Sequence, residues 1–162
     1  MKSAVIRLAP AFALLAALSL QAQQKQPALP PDAPVPSQIL SAKRVFIANS
    51  SGNNDVRISK YVGGVNGIYN QFYADLKASG RFELVSSPAE ADLALDVSIV
   101  PFPIAPGYPG FRLTILDPKT NVLLWAITEP VDPAFLAKTA RKNISASLAH
   151  LTGDLTNLAT GK

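Results

Sequence analysis

The side chains able to do acid–base or metal chemistry are few in this 162-residue sequence, and they are scattered. His150 is the only histidine, so a histidine-based metal cluster is not available and a nucleophilic triad would have to be built on this one residue. It stands in a helical stretch beside the apolar stripe and reads as a boundary or solvent-facing side chain. Asp92 and Asp96 point to one face of the same strand, but four residues at roughly 3.3 Å each set them ~13 Å apart, wider than the carboxylate pairs of glycosidases. Asp117 has a turn to make, while Glu129, Asp132 and Asp154 have no acidic or basic companion at a spacing that marks a site. Cysteine is absent, which removes disulfides, thiolate nucleophiles, thiolate metal sites and lipid attachment through an N-terminal cysteine together. Gly63-Gly64-Val65-Asn66-Gly67 could turn backbone N–H groups toward an anion at a helix entrance. It lacks the Lys-Ser/Thr ending of a phosphate loop and follows no strand closely. These residues imply no catalytic set, no metal site and no cofactor, and so a protein that is not an enzyme.

Binding is the remaining chemistry, and two stretches could carry it. The longest polar excursion runs from residue 49 to residue 67; Asn53, Asn54, Asp55, Tyr61 and Asn66 are its candidate contact residues. Long polar loops carry function more often than the elements that support them. The second stretch is the connection 101–110, where Phe102 and Tyr108 stand among four prolines in a segment that should be semi-rigid. A connector tucked against its own core is the plainer reading of those aromatics.

The elements that must position these stretches follow from periodicity. Phe111 to Leu116 and Val122 to Thr128 are apolar runs joined at Asp117 to Asn121, the clearest β-hairpin in the chain. Asp117-Pro118 suits the first two positions of a type I turn, and Asn121 can take the left-handed conformation that closes it. A five-residue loop would set Leu116 opposite Val122 and Ile115 opposite Leu123. Phe111, Leu113, Ile115, Leu123, Trp125 and Ile127 would then share one face, with Trp125 in the core. Lys43 to Ala48 reads as a strand, as do Arg81 to Val85 and Ala91 to Val100, the last by strict alternation of Leu93, Leu95, Val97 and Ile99. A helix capped by Asn66 carries Val65, Ile68 or Tyr69, Phe72 and Leu76 on one stripe and ends at Gly80. A last helix carries Ala140, Ile144, Leu148, Leu151, Leu155 and Leu158. The expected fold is α/β (α+β), a five-stranded mixed sheet with two helices packed on one face, in the order β-α-β-β-β-β-α.

Residues 1–22 read as a secretory signal, with Lys2 and Arg7 ahead of an apolar run, Leu8 to Leu20, too short to span a bilayer comfortably. An uncleaved anchor is the alternative. Residues 23–40 are a Pro-rich tether, with Pro27, Pro30, Pro31, Pro34 and Pro36, expected to be extended and disordered. The single folded domain is expected over 41–160. Lys2 and Arg7 leave with the signal and no acid does, so the fifteen basic residues become thirteen against eleven acidic. That balance, with no basic run interleaved with aromatics, excludes the electrostatic footprint of a nucleic-acid binder. Lys138, Arg141 and Lys142 form the densest basic cluster, which reads as a solvated helix face.

The pattern Phe72-x-x-x-Leu76-x-x-x-Gly80-Arg81-Phe82-x-Leu84-Val85, then Ala91-Asp92-Leu93, then Leu116-Asp117 returning to Leu124-Trp125, resembles the amino-terminal domain of the TolB envelope protein. It also resembles uncharacterised exported bacterial proteins with the same helix-Gly-Arg-Phe pattern. The likeness covers Phe72 to Trp125, about a third of the chain. The resemblance implies an envelope domain that works by binding other proteins and has no catalytic residues to transfer; the propeller that TolB attaches behind this domain is missing. The expected partner is an envelope protein or a second copy of the chain, with no nucleic acid and no membrane span once the signal is removed. The expected location is exported, periplasmic or secreted. The alternative is a small-ligand-binding periplasmic domain using the 49–67 loop and the 101–110 connection.

Overall fold

Alternating apolar residues build the middle of the fold, where strands β3 (Leu93–Pro101), β4 (Pro109–Leu116) and β5 (Leu123–Pro130) form an antiparallel meander. The computed structural model describes residues 33–50, 63–64, 66–101 and 109–161. Strand β1 (Arg44–Ala48) pairs in parallel with β3 on one side and with β2 (Glu83–Val85) on the other, giving a five-stranded mixed sheet in the order β2-β1-β3-β4-β5. The expected class and strand count hold.

Helices cover one face. Val45, Ile47, Leu93, Leu95, Val97, Phe111, Leu113 and Ile115 turn toward them and are buried. They meet Ile68, Phe72 and Leu76 of helix α2 (Gly67–Ser79) and Ile144, Leu148, Leu151 and Leu155 of helix α3 (Ala137–Leu158). Each such side chain contributes about 1.5–3 kcal/mol when fully buried, so this layer holds the molecule together. Gly80 closes α2 with φ of 64°, the left-handed C-cap its position predicts. Asn66 sits at the N-cap position but its side chain caps nothing; its Oδ1 accepts instead from Asn49 Nδ2 at 3.3 Å.

Arg81 and Phe82 precede β2 rather than opening it. The Arg81 guanidinium donates to the Ala42 and Ala159 carbonyls at 3.1 and 3.0 Å and lies 4.8 Å from the Phe82 ring centroid. It ties the entry to β1 to the end of α3, so the Gly-Arg-Phe pattern has a folding explanation. The tether also enters the fold earlier than proline spacing predicts: helix α1 (Ser37–Ser41) places Ile39 fully inside the core.

The hairpin register corrects the expectation in an instructive way. Asp117 N–H donates to Val122 O at 3.0 Å, Asn121 N–H donates to Asp117 O at 2.8 Å, and Asn121 takes φ of 57° as expected. The first strand pair is Leu116 with Leu123, which by itself would put the two strands' apolar sets on opposite faces. A bulge beside Ile115 and Leu116 absorbs one residue, after which Ile115 faces Trp125 and Leu113 faces Ile127. Trp125 and Ile127 thereby return to the helix side, whereas Leu123 is 56% exposed and Leu124 packs in its place. Trp125 is half-buried at the margin of the core rather than inside it, because among the described residues β5 has no strand beyond it.

Candidate binding surfaces

Of the candidate contact residues, Asn53, Asn54, Asp55, Tyr61, Phe102 and Tyr108 lie outside the described residues, and Asn66 is exposed at the start of α2. The topology does relate the two loops: β1 ends at Ala48 opposite Asp96, and β3 ends at Pro101 opposite Pro109. Both loops therefore leave from the same end of the sheet.

The opposite end carries a polar groove of about 530 Å³ between α1, the start of β3 and the hairpin turn, lined by Gln38, Ser41, Lys43, Asp92, Asp117 and Lys119 among others. Asp92 lies one residue before β3 and its carboxylate accepts from the Lys43 and Arg44 N–H groups at 2.9 and 2.8 Å. Those two backbone bonds, Arg44 first, hold its pKa below the ordinary carboxylate value despite partial desolvation. Asp117 is lowered by the Lys119 N–H and then by the Thr120 hydroxyl, which donate to it at 2.9 and 2.7 Å. Both acids are thus occupied in holding the strand entry and the turn.

One cluster that sequence reasoning missed lies where α3 crosses β5. Burial first, then the Asp154 carboxyl, which shares a hydrogen bond with it, raise the Glu129 pKa; the His150 imidazole opposes them. His150 and Asp154 are one helical turn apart and both are exposed. Glu129 thus has the companions its sequence spacing did not reveal, since 25 positions separate it from Asp154 and only the packing of α3 on β5 joins them. Among the described residues no group of three His, Asp or Glu side chains has the geometry to hold a metal ion.

Among the described residues no strand lies beyond the outer edge of β5. Val131 N–H donates to Pro109 O at 3.1 Å, which fixes the alternation: residues 125, 127 and 129 direct their backbone groups to β4, and Ala126 and Thr128 direct theirs outward. Pro130 falls on an outward position, where its missing N–H costs no ladder bond. The first seven residues of β5 and Val122 before it carry no positive charge, and Val122 and Leu123 are each 56% exposed. Among the described residues no helix is long and apolar enough to cross a membrane.

No family model matches the sequence, and no curated protein matches it. Solved bacterial structures are similar to it at low sequence identity. A PelC dodecamer from Paraburkholderia phytofirmans is 11% identical and covers 78% of this chain and 94% of its own, with a TM-score of 0.48. A Xanthomonas campestris protein of the DUF330 family is 14% identical, with coverages of 74% and 85% and a TM-score of 0.48. A homologue of a neuraminyllactose-binding hemagglutinin from Helicobacter pylori is 10% identical, with coverages of 72% and 85% and a TM-score of 0.38. None of these three is a TolB domain, so the TolB resemblance gains no support from them; what stands is a loose likeness to bacterial proteins, one of them of an uncharacterised family.

Proposed function

We propose that this chain is an exported, non-enzymatic domain of the cell envelope that works by binding another protein or assembling with copies of itself, and that it pairs through β5. The observation that carries the proposal is the outward edge at Ala126 and Thr128, where backbone donors and acceptors have no partner among the described residues and stand beside exposed Val122 and Leu123. Such an edge is a template for an added strand: main-chain bonds supply affinity and the flanking side chains supply selectivity. The bulge at one end of β5 and Glu129-Pro130 at the other limit the open stretch to the middle of the strand.

Ala126→Lys combined with Thr128→Pro places a charge on the edge and removes one outward N–H without touching the β4 ladder. Sedimentation velocity should show the unmodified chain as an oligomer or bound to its envelope partner, and the double variant as a free monomer with an unchanged melting transition. An unmodified chain that stays monomeric and alone, or a double variant that associates as well as the original, contradicts the proposal.

A second reading rests on the groove. Its volume and its mixed lining, Lys43 and Lys119 beside Asp92 and Asp117, suit a small polar ligand carrying both charges, at the opposite end of the sheet from the loops at 49–67 and 101–110. Thermal stabilisation by a zwitterionic compound, lost in Lys119→Ala, would support it.

A further inference from the structure

The turn between β5 and α3 ends in a feature that neither the core nor the strand edge uses. Phe135 is fully exposed, at 103%, and Leu136 beside it is 71% exposed. Folding gains nothing from holding two large apolar side chains in water, and a single exposed apolar residue would need no explanation. Here the pair is held out by a built corner. Asn143 Nδ2 donates to the Asp132 and Pro133 carbonyls at 3.1 and 3.4 Å, and Ser147 Oγ donates to Pro130 O at 2.7 Å. All three bonds reach back from α3 to fasten the strap that leads to Phe135.

Helix α3 then overhangs the core. From Ala137 to Asn143 no side chain is buried, and Ile144 is the first that is. Lys138, Arg141 and Lys142 in this overhang are spaced three and four apart and share one face. All three are exposed, and among the described residues no hydrogen bond or ion pair engages them. Asp132 is the one acid between residues 131 and 143. Pro101 and Pro109, the roots of the uncharged run 102–108, lie at this same end of the sheet.

We infer that the corner from Asp132 to Lys142 is an interfacial membrane contact, which inserts Phe135 and Leu136 among the acyl chains of an anionic leaflet while Lys138, Arg141 and Lys142 meet its headgroups. An apolar tip joined to an unpaired basic face is the chemistry that binds a negatively charged lipid surface without crossing it. Three cations against one acid select an anionic leaflet over a neutral one, and the same charge would take an acidic protein, which the test separates. The inference is independent of pairing through β5, since its residues are not those of the strand edge.

The absence of cysteine allows a clean test on the full chain. Leu136→Cys and, at the other end of the sheet, Lys119→Cys each accept a single bimane label. With vesicles of phosphatidylethanolamine and phosphatidylglycerol containing brominated acyl chains, fluorescence should be quenched at position 136 and not at 119. The quenching should vanish with phosphatidylcholine vesicles. Adding Phe135→Ser should raise the lipid concentration for half-quenching by at least about tenfold, the effect of removing one buried aromatic side chain. Equal quenching at both positions, none at 136, or equal quenching by neutral vesicles would overturn the inference. So would a response at 136 to lipid-free acidic envelope proteins but not to vesicles.

Discussion

The two edges of the sheet are built differently. On one side β2 has three residues, begins with exposed Glu83 and runs at once into the turn at Pro88–Glu90. It leaves room for hardly any outward backbone group. On the other side β5 has eight residues, and its middle is open and uncharged. Natural sheets blunt edges by shortness, charge, proline or bulges; β2 is blunted throughout, whereas β5 is blunted at its two ends only. The difference shows that an edge can be closed in this fold, and that β5 has been left open over a defined length.

The largest expected effect tests how far β5 stands outside the core. Phe111→Ala, at a fully buried position of β4, should cost about 3–5 kcal/mol, and Trp125→Ala, half-buried in the edge strand, roughly 2 kcal/mol. Denaturant melts of the two proteins measure the gap; a Trp125 variant as damaged as the Phe111 variant would make β5 a core strand and blur the comparison.

A smaller pair of effects sharpens it through pH. Asp92 supports the β1 side of the sheet with a lowered pKa. Its stabilisation is present above the unfolded carboxylate value and is lost as pH falls through the folded one. Asp92→Asn should therefore cost about 1 kcal/mol at neutral pH and flatten the acid limb of the stability curve. Glu129, on β5, has a raised pKa. The sign reverses: its contribution is present below the unfolded value and is lost as pH rises through the folded one. Glu129→Gln should be neutral in acid and stabilising at neutral pH, by less than about 1 kcal/mol because the site is partly solvated. Thermal melts across pH would refute the assignment if both variants shifted the curve alike.

What could be read from the sequence follows the range of the interactions involved. Alternation in Leu93 to Ile99 and the stripe Ile144, Leu148, Leu151, Leu155 gave strands and helices, because each is a local pattern against one burial layer. Asn121 and Gly80 gave their turns for the same reason. The hairpin register escaped because a one-residue bulge leaves no mark in composition, yet reverses which of Leu123 and Leu124 is buried. Ile39 escaped because its proline neighbours dominate the local signal while its burial depends on distant strands. The candidate surfaces were less legible still. Glu129, His150 and Asp154 meet only after α3 crosses β5, and the open amides of Ala126 and Thr128 follow from strand order, which no residue type announces.

Residue-resolved hydrogen exchange on β5 tests the central claim most directly. In the dilute chain the amides of Ala126 and Thr128 should exchange fast while that of Ile127, paired into β4, exchanges slowly. On assembly or partner binding the Ala126 and Thr128 amides should become protected and the Ile127 amide should change little. Amides at Ala126 and Thr128 that remain fast in the associated protein would contradict pairing through this edge.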